Sequence, residues 1–367
     1  MLAYIVRRLL FIVPTLLGIM ALNFLVIHVA PGGPIDQILS NIQGSGVDVT
    51  ARVSGIDSGE LRSGPSGGGE GPVGNYRGAQ GLDPEFIAEL ERQYGFDKPL
   101  LERFGTLIWN YARFDFGESY FRNESVIDLI LEKMPVSISL GLWTTLLTYL
   151  IAIPLGIRKA VNDGSTFDIW TSAVVIIGNA VPSFLFAILL IVLFAGGSFL
   201  DWFPLRGLTS DNWDQLSLWG KIVDYFWHLT LPLLALMIGA FAGLTMLTKN
   251  SFLDQINMQY VQTARAKGLG ENSVLYGHVF RNAMLIVIAG FPGAFIGILF
   301  TGSLLIEIIF SLDGLGLLGY EAALKRDYPV MFASLYMFGL LGLVVQLITD
   351  LTYVLIDPRI DFETREA

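Results

Sequence analysis

The sequence contains no cysteine in 367 residues, and only 15% of its residues are charged, against about 25% in a typical soluble domain. The missing thiols exclude thiol catalysis, cysteine-ligated zinc, iron–sulfur clusters and disulfide staples. Histidine is nearly as scarce: His28, His228 and His278 are far apart in the chain and make no metal-binding run. Basic residues are few as well, with 23 Lys and Arg against 33 Asp and Glu and a net charge of −10. A nucleic-acid partner is therefore not expected, because a phosphate backbone demands a basic face. No His-Glu-x-x-His motif occurs. The Gly-Lys pair Gly220-Lys221 is followed by Ile222 and has no upstream glycine at the spacing of a phosphate-cradling loop. No enzyme active site is read from the chain.

What the sequence has in abundance is apolar length: 53% of residues are hydrophobic and the mean hydropathy is +0.58. A helix crossing a hydrocarbon core of roughly 30 Å needs about 20 apolar residues at 1.5 Å each. Six windows without Asp, Glu, Lys or Arg meet this need, near residues 9–30, 135–157, 171–195, 227–248, 283–305 and 329–349. One central charge costs about 2.5–3.5 kcal/mol on insertion, so six empty windows signal lipid. A buried soluble helix can imitate one such window, but not six. The expectation is an all-α integral membrane protein with six transmembrane helices.

Arg7 and Arg8 precede the first window. Its apolar run exceeds the roughly 7–15 residues of a signal-peptide core, so it reads as a retained anchor. Segments 1–8, 158–168, 248–281 and 357–367 hold ten Lys or Arg, whereas the short connections 196–227 and 306–330 hold four. The positive-inside rule then puts both termini in the cytoplasm, which also makes 357–367 a cytoplasmic tail. The stretch 31–133 becomes an extracytoplasmic insertion between the first span, within 1–30, and a core of five spans over 134–356.

Residues 55–82 carry ten glycines and read as a flexible linker. Asp83-Pro84 suits a helix start, Phe86, Ile87, Leu90 and Tyr94 share one face, and Gly95 supplies a stop. After Pro99, a second stripe combines Leu100, Leu101, Phe104, Leu107, Ile108 and Tyr111. These helices either pack on the outer ends of the spans or present a docking surface to an extracytoplasmic partner.

The long cytoplasmic loop, 249–281, is built like a folded element. Tyr260–Lys267 has good helix formers, ends in cations and is stopped by Gly268. Asn272 or Ser273 can cap a second short helix that leads into the fifth span. A helix–Gly–helix knob of this kind suits either an ordinary return to the interface or a rigid contact for another protein.

The stretch YVQTARAKGLGENSVLYGHVFRNAM resembles the cytoplasmic loop motif of ABC-importer permeases of the oligopeptide and dipeptide type. Gln262, Thr263, Ala264 and Gly268 occupy the motif positions, with Arg265 and Lys267 between them. Two letters depart from the general Glu-Ala-Ala triplet, and Ile286 stands where a proline often follows. The resemblance extends to APGGP at Ala30–Pro34, YGFDKPLLERF at 94–104, GSLLIEIIFSLDGLG at 302–316 and DPRID at 357–361. The long outer insertion with NYRGAQGLDPE, together with LGLWTTLLTYLIAIPLGIRKA and FPLRGL, looks closest to the Yej-type permease B subunit, a subfamily associated with peptides and peptide-like antibiotics such as microcin C.

The resemblance implies a type I ABC importer permease fold and transport of peptides or peptide-like compounds by alternating access, in a bacterial inner membrane. It implies a second permease subunit, ATP-binding subunits carrying ATP and magnesium, and an extracytoplasmic peptide-binding protein. Gln262, Thr263, Ala264, Arg265, Lys267 and Gly268 would receive the ATPase. Prolines inside the spans read first as kinks and packing devices; in a functional version, Asn179 with Pro182 and Pro292 with Gly297 are gating kinks. Glu307 and Asp350 are expected at membrane interfaces. The alternative, a stand-alone ion-coupled secondary transporter, calls for paired titratable groups at mid-depth and often an inverted repeat, and neither is visible. A membrane anchor or assembly factor is a further alternative.

Overall fold

The computed structural model describes residues 2–29, 97–122, 124–196, 199–300 and 304–356. The glycine-rich linker 55–82, the helix expected from Asp83 to Gly95 and the tail 357–367 lie outside the described residues. Among the described residues the chain is helical, apart from turns and one antiparallel bridge between Glu118 and Ser125. The helices are α1 (Leu2–Val29), α2 (Leu100–Tyr111), α3 (Val126–Val161), α4 (Thr166–Ala180), α5 (Ser183–Phe194) and α6 (Leu218–Ile256). They continue with α7 (Gln259–Ala266), α8 (Glu271–Val274), a π-turn (Leu275–Val279), α9 (Phe280–Ala289) and α10 (Phe291–Phe300). The last three are α11 (Leu304–Ile309), α12 (Leu315–Lys325) and α13 (Tyr328–Ile356).

Among the described residues, five apolar helical stretches are long enough to cross a membrane, and a sixth results if α4 and α5 count as one span. In the span expected over 171–195, the kink read from Asn179 and Pro182 is a sharp one, because α4 and α5 meet at 95°. Pro182 forces the bend: it offers no N–H to continue α4, and it holds Val181 extended at φ −86° and ψ 119°. The fifth apolar stretch in chain order, Glu271–Phe295, runs through the α9–α10 junction without a sharp bend: Gly290 keeps helical dihedrals, φ −74° and ψ −16°, and its carbonyl accepts the Ala294 N–H at 3.0 Å.

The chain forms two compact units. The larger combines residues 1–11, 131–318 and 340–367. The long helix α6 is its axis, packed by α4, α5 and α9. One cluster joins Leu140, Leu190, Leu229, Leu233, Ile306 and Phe310; a second joins Ile157, Leu244, Phe252, Val261, Val274 and Val279. Lipid tails are as apolar as leucine, so such helices associate through close fit. Gly156 of α3 supplies one such fit: a Cβ there would stand 2.6 Å from Thr248 Cβ and 2.9 Å from the Thr245 carbonyl oxygen on α6. Ile177, Val174 and Leu150 stay exposed on the outside of the same helices.

The smaller unit, residues 12–130 and 319–339, is held by aromatic contacts and two polar ties. Phe24 meets Phe104 at 5.2 Å, and Tyr111 meets Phe116 at 4.9 Å and Tyr336 at 5.4 Å between ring centroids. Asp327 accepts from Ser119 Oγ and, at 3.2 Å, from the Tyr120 N–H. Burial pushes the Asp327 carboxyl above its ordinary pKa while those donors pull it back. Arg122 pairs with Glu321 at 2.9 Å. Helix α2 buries the Phe104, Leu107, Ile108 and Tyr111 side of the expected stripe, but Leu100 and Leu101 are exposed. The buried stripe is thus narrower than the expected one.

Candidate functional site

The knob grows from the 249–281 end of α6. After α6 ends at Ile256, helix α7 runs from Gln259 to Ala266 and is closed by Gly268 at φ +81°. Two backbone bonds complete the turn: Leu269 N–H donates to Ala264 O at 3.4 Å, and Gly268 N–H to Arg265 O at 2.9 Å. This is the Schellman pattern, which uses a left-handed residue to satisfy the last helix carbonyls. The second helix starts two to three residues earlier than expected. Gly270 is its N-cap, and Asn272 and Ser273 lie inside α8.

Two features make the knob rigid. Val261, fully buried, and Ala264 face inward onto the cluster of Phe252, Val274 and Val279. Across the turn, Arg265 and Glu271 form a forked ion pair, with Nε 3.0 Å from Oε1 and Nη2 3.0 Å from Oε2. The base is tied by Ser251 Oγ donating to Ala283 O at 2.6 Å and by Tyr260 OH donating to Gln255 Oε1 at 2.8 Å. The six residues singled out here therefore divide. Gln262, Thr263, Arg265, Lys267 and Gly268 are on the exposed side, whereas Ala264 is an anchor in the core.

Behind the knob is a buried charge cluster that the sequence reading did not single out. Lys159 of α3 has no exposed side-chain surface, and its Nζ lies 3.1 Å from Asp168 Oδ1 on α4. It also donates to Thr171 Oγ1 at 2.9 Å and Ser172 Oγ at 2.6 Å. Lys249 of α6 reaches Asp168 Oδ2 at 2.7 Å and Asp163 Oδ1 at 2.8 Å. Asp168 thus joins three helices. Its formal charges balance, two cations against two carboxylates, as a buried group of this size requires. The signal available in the sequence was that each of these charges flanks an apolar window.

At the opposite ends of these helices, the chain folds back over a carboxylate. Glu307 is fully buried and accepts the Leu317 N–H at 2.7 Å. Gly314 and Gly316 make room for it: a Cβ at Gly314 would stand 2.6 Å from Glu307 Cδ. Ser137 Oγ accepts the Leu315 N–H at 2.8 Å, and Lys133 pairs with Asp313 at 2.5 Å. Asp350 is likewise buried and pairs with Arg8 at 2.9 Å. Both acids are shielded by the protein itself: the returning 310–317 segment encloses one, and the start of α1 supplies a cation to the other.

Of the four residues named as gating kinks, Asn179 lies in the last turn of α4 and Pro182 at the bend itself. Pro292 sits in the first turn of α10, where its missing N–H costs nothing, and Gly297 is inside that helix. The α9–α10 junction falls on Gly290, upstream of both, and keeps its helical backbone bonds.

Residues 152–362 match the family described as binding-protein-dependent transport system inner membrane component. The chain is 66% identical over 365 residues to the peptidoglycan transport system permease protein YejB of Agrobacterium fabrum, covering all of both chains. It is 59% identical to the inner membrane ABC transporter permease protein YejB of Escherichia coli O157:H7, over 99% of this chain and all of that one. Identity to the oligopeptide transport system permease protein AppB of Bacillus subtilis is 34%, over 99% of this chain and all of that one. A solved chain of the inward-facing MetNI methionine ABC transporter aligns with a TM-score of 0.49 at 16% identity, covering 63% of this chain and 97% of that one. With the matched region spanning α3 to α13 and full-length relatives that are permeases, this chain belongs to the binding-protein-dependent transport system inner membrane component family, as a multi-pass permease subunit.

Proposed function

We propose that the chain is one half of the translocation path of an ATP-driven importer of peptides or peptide-like compounds, and that Gln262–Gly268 is where a separate ATPase pushes on it. The observation that carries this is the knob: an exposed polar face of Gln262, Thr263, Arg265 and Lys267 on a short helix that is anchored by Val261 and Ala264 and stapled by Arg265 to Glu271. The names of the relatives, a peptidoglycan and an oligopeptide transport permease, support the substrate class.

The mechanism follows from differential binding. A binding protein delivers substrate at the outer face, a second permease completes the path, and ATP with magnesium binds on the partner ATPases. Closure of the ATPases can shift the permease between states only if the docked knob has different free energies in the two. A loose loop would absorb the motion; the packed knob passes it on to α6 and α9. The 95° bend at Pro182, beside Asn179, supports a joint there; Pro292 and Gly297 are the second pair at which the bundle would give, just past the junction at Gly290.

The test is trialanine uptake into proteoliposomes holding this chain, its partner permease, the ATPases and the binding protein. Arg265→Glu reverses the knob's charge, and Gly268→Pro forbids the left-handed cap and removes its N–H. Both variants should insert and lose ATP-driven uptake. Normal uptake by both ends the docking role, and uptake by this chain alone without ATPase favours the ion-coupled carrier.

A further inference from the structure

Helix α2 has three faces, because residues four apart fall in line along a helix. Phe104, Leu107, Ile108 and Tyr111 form the face turned to the protein. Glu102, Thr106 and Asn110 form a polar line. Leu101, Gly105 and Trp109 form a third line, which is apolar and open. Leu101 is 86% exposed and Trp109 58%, and a Cβ added to Gly105 would meet nothing within 4 Å.

Scattered exposed leucines are ordinary on a water-facing surface. The depth of this helix makes the difference. Phe104 meets Phe24 of α1 at 5.2 Å between ring centroids, and Phe24 meets Phe332 of α13 at 6.5 Å. The apolar stretch of α1 runs from Ile5 to Leu25, and that of α13 begins at Tyr328. At about 1.5 Å of rise per residue, Phe24 and Phe332 both lie within about 6 Å of those span ends. Amphipathic helices on a bilayer lie at such a level, about 5–10 Å into the boundary between headgroups and acyl chains. Leu22 and Leu25 are exposed on α1 at the same level, so the lipid-facing surface of that span continues to α2. Trp109 also carries Arg113, whose guanidinium carbon lies 4.1 Å from the ring centroid. A tryptophan with a stacked arginine suits a boundary where apolar chains meet phosphates.

We infer that the Leu101–Gly105–Trp109 face of α2 rests on the acyl chains of phospholipid, with Arg113 among the headgroups. Helix α2 is then a membrane-lying helix packed against the ends of two spans, and its Glu102–Thr106–Asn110 line is turned to the headgroups and water. Seated in this way, it ties the insertion to the bilayer just before α3 begins. The inference needs only that the chain is a membrane permease, and it holds for any substrate. It gives this face to lipid rather than to an extracytoplasmic protein.

Because the chain has no cysteine, Leu101→Cys, Thr106→Cys and Trp109→Cys each carry a single nitroxide label on α2. Leu25→Cys is the lipid reference. Glu118→Cys, exposed beside the Ser119 that Asp327 holds, is the water reference. The assembled complex, with its other subunits free of cysteine, is placed in phosphatidylethanolamine–phosphatidylglycerol liposomes. Collisions of each nitroxide with oxygen, which concentrates in lipid, and with a water-soluble nickel chelate are then measured. Labels at Leu101 and Trp109 should match the high oxygen-to-nickel ratio at Leu25, and the label at Thr106 should show a lower one. Adding the binding protein should change none of them. A ratio at Leu101 and Trp109 like that at Glu118 means water and overturns the proposal; nickel collisions that fall when the binding protein is added assign the face to that partner. Few collisions with either reagent mean cover by protein, such as the second permease, and overturn it equally. The unsubstituted chain gives an independent reading. A phospholipid with a photoactivatable diazirine in its acyl chain should crosslink to the tryptic peptide Phe104–Arg113 as well as to α1. Crosslinks on α1 without any on that peptide overturn the proposal even where a labelled variant fails to assemble. None of these outcomes touches the importer reading, which the uptake assay decides.

Discussion

Lys159 places its Nζ 3.1 Å from Asp168 Oδ1 with none of its side chain exposed. The two residues stand nine positions apart, on either side of the turn between α3 and α4. Their pairing closes that turn and, through Lys249, pins it to α6. Ile157 of α3 and Phe252 of α6 belong to the apolar packing beneath the knob, so the helices that carry the charge cluster also hold the knob.

Removing one member of a buried pair leaves an uncompensated charge, at a cost of about 3–5 kcal/mol. Asp168→Asn is therefore expected to lower the thermal midpoint of the detergent-solubilised protein sharply. The double change Lys159→Met with Asp168→Asn should recover most of the loss, since Lys249 retains Asp163 at 2.8 Å. A midpoint that Asp168→Asn leaves in place contradicts the buried cluster.

Gly156 and Gly178 make a matched comparison. An added Cβ at Gly156 collides with Thr248 Cβ at 2.6 Å, whereas at Gly178 it meets Ile238 Cγ1 at an ordinary 3.5 Å. Gly156→Ala should cost about 1–3 kcal/mol by forcing α3 off α6. Gly178→Ala should be neutral or mildly stabilising, because alanine is the better helix former. Thermal midpoints of the two single variants decide it, and equal midpoints refute the close approach.

Glu307 and Gly314 should be coupled. Gly314→Ala drives a methyl group into the carboxylate, and Glu307→Ala removes that carboxylate together with its bond to the Leu317 N–H. Each single change destabilises, but the methyl costs little once the carboxylate is gone. A double-mutant cycle read by thermal unfolding should give a coupling of about 1 kcal/mol or more, with the double variant better than additive. Strict additivity means that the 310–317 segment does not rest on Glu307.

Much of the architecture was legible along the chain because it depends on neighbours within a few residues. A charge-free run of twenty residues belongs in lipid wherever it occurs, and Gly268 ends α7 because a left-handed residue is needed one step past a helix. The face of the knob could be read from spacing, although Ala264 turned out to be its anchor. Harder to read were consequences that need geometry. Pro182 announced a kink, but a 95° turn that divides one span into two helices depends on how each half packs. Leu100 and Leu101 matched a stripe by periodicity and stayed exposed, because periodicity does not say where a partner ends.

What the sequence determined alone is the number of apolar segments, the helical knob with its glycine stop, and the family whose motifs appear in order from end to end. Tertiary structure decided which polar groups meet: Lys249 finds Asp168 across 81 positions, and Glu307 is enclosed by its own returning chain, which brings the Leu317 N–H to it. The division has a plain cause. Partition into lipid and helix capping are set by local chemistry, while a buried charge or hydroxyl acquires its meaning from whatever the fold brings within about 3 Å of it.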